Sequence, residues 1–306
     1  MGQLVNPVTL EKGLRAEFVK ALAAAENTTD YLPALLQVSS TSVSENYGWL
    51  GDVPELTEWK DERKLKGILD YNYQIKNKDY EATLQVDKNT IEDDQLGTVK
   101  PRIAELAVRA KQHPRKLFLE ALVKGSTELA YDGQTFFSTS HVMGMSGTMS
   151  NILTGTGVGF DQISADLDSA IMMMSLYKDD QGAPFAEDID DSGIMIIAPS
   201  QLRPVMNRVF NSQTLANGAT NPQFGRIASA RIIYSSRLTD VNDWYILNVS
   251  QGMKPFIQQN RQAARFGALE ATSDRGFMSK RYLYGVDYRI GFGYGLWQHA
   301  IKIVNA

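Results

Sequence analysis

From Arg281 to Leu296 the chain alternates without a break. Tyr282, Tyr284, Val286, Tyr288, Ile290, Phe292, Tyr294 and Leu296 hold the even positions, and Arg281, Leu283, Gly285, Asp287, Arg289, Gly291, Gly293 and Gly295 hold the odd ones. Successive side chains of a β-strand point to opposite faces, so this pattern predicts one strand with an aromatic face and a glycine-rich face. A strand of about 15 residues runs near 50 Å. Its aromatic face needs a cover of comparable length. Its glycines allow a helix or a second backbone to approach closely.

A cover of that size is written between Gly97 and Gly125. Ile103, Leu106, Ala107, Ala110, Leu117, Ala121 and Leu122 form an apolar stripe at helical spacing, with Pro101 near its start and Gly125 as its stop. Pro114 sits inside, but the stripe stays in phase across it, which predicts one kinked helix about 40 Å long. A shorter helix is expected near the N-terminus, capped by Thr9, with Leu10, Leu14, Phe18, Leu22 and Ala25 on one side. Residues 69–76 and 80–87 alternate as two half-buried strands, joined as a hairpin or a tight bend around Asn77, Lys78 and Asp79. Thr90 to Asp93 has capping-box spacing.

The middle of the chain reads as a compact inserted α/β unit. A helix from Asp161 carries Ile163, Leu167, Ile171 and Met174. A buried strand follows at 194–198, a helix at 201–210, and strands at 230–235 and 244–249. Met172, Met173 and Met174 are taken as helix packing.

Residues 47–67 fit no regular period. Tyr47, Trp49, Leu50, Val53, Leu56 and Trp59 are interleaved with acidic and basic side chains, Arg63 among them, and punctuated by Gly51 and Pro54. Two tryptophans require burial, while the charges between them resist a private interior. A projecting loop that packs on another copy of the chain satisfies both demands; a loop folded over its own core is the alternative.

Composition narrows the function. The 306 residues include no cysteine and three histidines, His113, His141 and His299. Thiol catalysis, Cys-ligated zinc and iron–sulfur clusters are thereby excluded, and little imidazole remains for acid–base work. No run of about 18 apolar residues marks a membrane span, and no secretory leader is recognisable, so a protein inside a cell, or assembled there, is expected. Charge is uneven. Residues 200–306 hold 13 Lys and Arg against 5 Asp and Glu, whereas residues 1–199 hold 18 against 30. Such asymmetry suits copies that meet through faces of opposite sign.

Motifs of known chemistry fail on inspection. Gly291, Gly293 and Gly295 are misplaced for a dinucleotide loop and no βαβ unit follows. Asp188 to Gly193 imitates the start of a calcium loop, but Pro199 stands where a bidentate Glu is needed. Ser175 and Lys178 match Ser-x-x-Lys without its partner motifs. Ser138, Ser140, His141 and Asp132 supply the atoms of a hydrolase triad, but they crowd into one loop, where local hydrogen bonding explains them better. No catalytic, cofactor-binding or metal residue is assigned.

Four stretches, in order, carry a family likeness: Trp49 to Leu56, Ile91 to Gly97, Tyr131 to Ser138, and Phe292 to Gln298. Together with the order of elements they resemble the HK97-type fold of tailed-phage major capsid proteins, and more specifically the major head subunit of Mu-like transposable phages. The resemblance covers essentially the whole chain. It implies an α+β fold divided into an N-terminal arm (1–43), an extended loop (44–70), a peripheral domain (71–158) whose spine helix is 97–124, an axial domain (159–252), and a return to the peripheral domain (253–306) with its long strand.

By the same resemblance, Tyr47, Trp49, Leu50, Leu56, Trp59 and Arg63 are the intersubunit contacts of the loop. Ile103, Leu106, Ala110, Leu117 and Ala121 pack the spine helix, and Tyr282, Tyr284, Tyr288 and Phe292 form the long strand beneath it. The implied protein is not an enzyme and uses no cofactor. It forms hexameric and pentameric capsomers of an icosahedral shell around double-stranded DNA, in a virion assembled in the bacterial host cytoplasm. Because the chain opens directly on the arm, a separate scaffold protein is expected; minor or decoration capsid proteins are further possible partners. An encapsulin-like compartment shell and a soluble hydrolase using His141 are the rival readings.

Overall fold

A computed structural model describes residues 7–25, 29–48, 73–87, 96–144, 146–180, 182–186, 189–215, 217–269 and 281–305. The long alternating segment forms β12 (Arg281–Tyr294), which stops at Tyr294, two residues short of the expected Leu296. On one side it pairs antiparallel with β4 (Lys78–Asp87), from Arg281 opposite Asp87 to Ile290 opposite Lys78. On the other it pairs antiparallel with β11 (Phe256–Leu269), whose register slips between Asn260 and Arg265. β1 (Leu35–Ser39) runs parallel to β11 and completes a four-stranded sheet ordered β1-β11-β12-β4.

The aromatic face of β12 is covered as its pattern requires. Tyr282, Tyr284 and Val286, with Phe266 of β11, bury against Leu14 and Phe18 of α1 (Pro7–Ala24) and Val99, Ile103 and Ala107 of α2 (Leu96–Lys124). α1 runs over Pro7–Ala24, so Thr9, expected at the cap, lies within the helix.

α2 runs through Pro101 and Pro114 as a single 29-residue helix. Its buried stripe does not stay in phase. The first half packs in the core beneath the four-stranded sheet, with Leu106 and Ala110 at its margin. The second half enters a different core through Phe118, Leu119 and Leu122, and Leu117, expected to face inward, is only half-buried. Each residue turns a helix by about 100°, so a helix with two partners in different directions must bury two different stripes.

That second core surrounds a five-stranded sheet ordered β7-β13-β10-β8-β9. β8 (Ile194–Pro199), β9 (Ile232–Ser235) and β10 (Trp244–Asn248) lie in the middle of the chain, as the sequence suggests. α3 (Phe160–Ser175) and α4 (Arg203–Asn211) pack on one another beside the sheet. β7 (Ile152–Thr154) and β13 (Ala300–Val304) come from outside 159–252, so the inserted unit borrows two strands from the flanking chain. Met174 is buried in this core, but Met172 is 60% exposed, so the methionine run is only partly packing.

Of the two expected connections, hairpin or tight bend, the hairpin does not form, and the chain bends from β3 into β4 through Asn77 alone. β3 (Gln74–Lys76) pairs backwards with β2 (Ser44–Asn46), not forwards with β4. Alternation reports which side chains share a face; it does not report which strand lies alongside.

Candidate assembly site at the root of the loop

The β2/β3 pair closes the base of segment 49–72. Ser44 lies opposite Lys76 and Asn46 opposite Gln74. One step further, the Tyr47 N–H donates to the Tyr73 carbonyl at 2.7 Å. The chain therefore leaves at Gly48 and returns at Tyr73 with both ends clamped.

Polar side chains lock the base to its surroundings. Asn77 Nδ2 donates to Ser40 Oγ at 2.7 Å and to the Ser42 carbonyl at 3.0 Å, and the Asn77 N–H donates to the Val43 carbonyl. One carboxylate oxygen of Glu45 accepts from the Ser40 hydroxyl, both the N–H and the hydroxyl of Ser42, and the Thr41 N–H. These bonds, led by that of Ser40, hold the Glu45 carboxyl below its ordinary range.

The base lies across the glycine face of β12. A Cβ built on Gly293 would run into the Ile75 side chain, and one on Gly291 would meet Gln259 Oε1 at 2.9 Å and Asn77 Oδ1 at 3.0 Å. Tyr73 completes the crossing, its phenolic oxygen accepting the Tyr294 N–H at 2.8 Å. Burial pushes the Tyr73 hydroxyl up to about 12. The approach that the odd-position glycines permit is thus made by the root of the loop.

Tyr47 corrects the sequence reading. Only 2% exposed, it is packed in the core of its own chain with Ile75 and Leu35, and is not available to a neighbour. Trp49, Leu50, Leu56, Trp59 and Arg63 lie outside the described residues, as do residues 69–72 of the expected strand and the Thr90–Asp93 cap. Along the helix, Ile103 is fully buried, Leu106, Ala110 and Ala121 are partly buried against the cores, and Leu117 joins neither. On the strand, Tyr282 and Tyr284 are buried, and Phe292 is partly buried against the second core. Tyr288 is half-buried, stacks on Tyr80 with centroids 5.6 Å apart, and hydrogen-bonds His113 Nδ1. Burial lowers the affinity of His113 for a proton.

The would-be triad is a buried brace. His141 Nδ1 lies 2.6 Å from Asp132 Oδ2, as a triad would have it, but Nε2 faces Asn151 Oδ1 at 3.2 Å where a nucleophile should stand. The Ser138 hydroxyl bonds Ser140 at 3.2 Å instead. Asn151 also accepts the Ser138 N–H and donates to the Phe136 carbonyl, and Trp297 stacks flat on the imidazole at 4.1 Å. The imidazole ring is 0% exposed. Asp190, from the false calcium loop, accepts the Ser192 N–H, and Asp191 pairs with Arg226. Among the described residues no three His, Asp or Glu side chains are grouped to hold a metal, and no helix there is long and apolar enough to cross a membrane.

Sequence reasoning missed the root itself. Ser40, Glu45, Gln74 and Asn77 are polar residues of short segments, and their roles exist only once β3 crosses β12. The one legible signal was the glycine face.

A long helix laid on a long-stranded sheet, with a second sheet beside it, is the HK97-like fold of phage capsid subunits. The family model of the Mu-like prophage major head subunit gpT matches residues 8–163 and 229–305, and the chain belongs to that family. The major head subunit of the Mu-like prophage FluMu of Haemophilus influenzae is 28% identical over 293 residues, covering 95% of this chain and 71% of the relative. The major capsid protein of Escherichia phage Mu is 26% identical over 306 residues, covering 98% and 75%. Among solved structures, the procapsid of bacteriophage JBD30, computed in I4 symmetry, superposes with a TM-score of 0.60 at 27% identity, covering 99% of this chain and 77% of that one. The family is one of structural head proteins and not of enzymes, and its members assemble as copies of themselves into the capsid of a virion.

Proposed function

We propose that copies of this chain close into hexamers and pentamers of an icosahedral shell around double-stranded DNA, and that segment 49–72 fastens each copy to the next. Trp49 and Trp59 are the anchors in this reading, with Leu50, Leu56 and Arg63 around them. Desolvated aromatic side chains commonly dominate interface energies. The observation that carries the reading is the closed root: the backbone bond from Tyr47 to Tyr73 and the β2/β3 pair hold both ends of an aromatic, charged segment against the sheet. An anchor delivered from a fixed base loses less freedom on docking than one on a loose tether.

Residues 71–158 and 253–306 act as the wall of the shell, and the five-stranded unit, with its two borrowed strands, meets its copies around the capsomer centres. Assembly in the bacterial host cytoplasm on a separate scaffold protein belongs to the same proposal. Electron microscopy and light scattering of the full chain, produced with and without such a scaffold, test it. Rings or closed shells are expected. A small, uniform particle under both conditions would contradict it.

A further inference from the structure

Half-buried cations in this chain are nearly all answered by carboxylates. Among the described residues four arginines are half-buried: Arg115, Arg226, Arg231 and Arg289. Arg115 pairs with Asp30 at 2.8 Å, Arg226 with Asp168 and Asp191, and Arg289 with Asp79 at 3.3 Å. Arg231 pairs with none, and its Nη1 is buried without a hydrogen-bond partner in the protein. The half-buried lysines divide in the same way. Lys116 reaches Glu120 at 3.5 Å and Lys302 reaches Asp243 at 3.0 Å, whereas Lys254 donates only to the Val249 carbonyl, at 2.6 Å.

The two exceptions sit together. Arg231 stands just before β9, which runs parallel to β8. Val249, whose carbonyl takes the Lys254 ammonium, donates its N–H to the Gly193 carbonyl at the start of β8. Both cations therefore flank the same end of the five-stranded sheet. Burial, and after it the charge of Arg231, lowers the affinity of the Lys254 amine for its proton. Their backbones are fixed: the Arg231 N–H donates to the Ala228 carbonyl at 2.7 Å, and the Lys254 carbonyl accepts the Leu296 N–H at 3.2 Å.

Two like charges held together and partly out of water, one with a buried donor left over, oppose folding unless something answers them. A guanidinium edge beside an ammonium group matches the oxygens of a carboxylate or a phosphate. We propose that Arg231 and Lys254 form a binding site for a single oxyanion at this end of the sheet. Its source is either a free ion such as inorganic phosphate or a carboxylate carried by a second copy of the chain. Because both backbones are already in place, little freedom is lost when the anion enters.

The test is a thermal melt of the full chain as unassembled subunits at neutral pH. Inorganic phosphate is raised to about 50 mM while sodium chloride holds the ionic strength constant. The wild-type melting temperature should rise by at least about 2 °C. Arg231→Gln together with Lys254→Gln should abolish the rise. Each single replacement should cut it by at least about half, and serves if the double variant fails to fold. Arg203→Gln, at an exposed arginine of the same unit, should respond as wild type does. No rise in the wild type, or the same rise in every variant, would overturn the site.

Calorimetric titration of phosphate into unassembled subunits and into closed shells then identifies the source. If a second copy supplies a carboxylate, the heat of binding disappears on assembly. If the anion is free, subunits and shells bind phosphate alike. A wild-type chain that builds no shells contradicts the assembly reading alone, since the melts of the subunits decide the site without it.

Discussion

The two sheets of the molecule are finished to different degrees. Every residue of β8 and β10 in the five-stranded sheet is buried. No residue of β4, at the edge of the four-stranded sheet, is fully buried. The first sheet draws α3, α4, the loop around Phe136 and Phe137, and Trp297 into one core. The second has α1 and α2 on one face, and on the other the crossing of β3 over Gly291 and Gly293. A sheet covered on both sides has all the burial it needs within its own chain. One with an open face and an open edge presents that surface to other molecules. Among the described residues, the five-stranded sheet is the more fully buried one, and the four-stranded sheet leaves β4 exposed at its edge.

The contrast can be broken from its stronger side. Trp297 is fully buried, stacked on His141 and edge-on to Tyr177 at 5.2 Å. Trp297→Ala should cost about 3–5 kcal/mol in a denaturant melt, a typical loss for a large side chain that leaves a cavity. A loss below about 1 kcal/mol would mean that this core is far less tightly packed than it looks.

Gly293→Ala acts on the other sheet. Its methyl group must displace Ile75, at a cost of about 1–3 kcal/mol typical of overpacking. The damage should be local: amide exchange at 44–46 and 74–76 should speed up, while β8 and β10 keep their protection. Uniform loosening of both sheets would show that they are not separable in stability.

The smallest effect at neutral pH comes from His299, which burial, aided by the charge of Lys254, holds at about 4. The unfolded chain binds this proton near 6.5 and the folded chain does not. The contribution of His299 is therefore whole above pH 6.5 and is lost as pH falls from there towards 4. His299→Gln should flatten the melting-temperature profile across that window and change little at pH 7.5. An unchanged profile would place the acid sensitivity elsewhere.

What could be read from the sequence follows the same division. β12 and the first half of α2 were legible because each buries one face against one partner, which stamps a period on the residues. β8 and β10 were legible as short apolar runs. β11 was not, although it is as long as β12. Gln258, Gln259, Asn260 and Gln262 occupy its first half, and they are at home there only because the fold supplies partners: the Ile75 carbonyl for Gln259, Asp287 for Gln262 and Asn260 for Gln258.

Leu117 was misread, and Phe118 and Leu119 were missed, for a related reason, since a helix that passes from one core to another changes its buried stripe midway. Tyr47 was grouped with Trp49 and Trp59 by proximity in sequence, but it sits on the clamped side of the root. The false triad was judged correctly on crowding alone. Its actual role, a brace between the 132–151 loop and Trp297, needed Asn151 and the stacked indole to be seen.

The claim that segment 49–72 fastens each copy to the next is tested most directly by replacing both anchors, Trp49→Ala and Trp59→Ala, in one chain. Sedimentation and electron microscopy should then find a folded subunit with the wild-type melting temperature that remains as free subunits or small rings. Closed shells of normal size and yield from this variant would contradict the account.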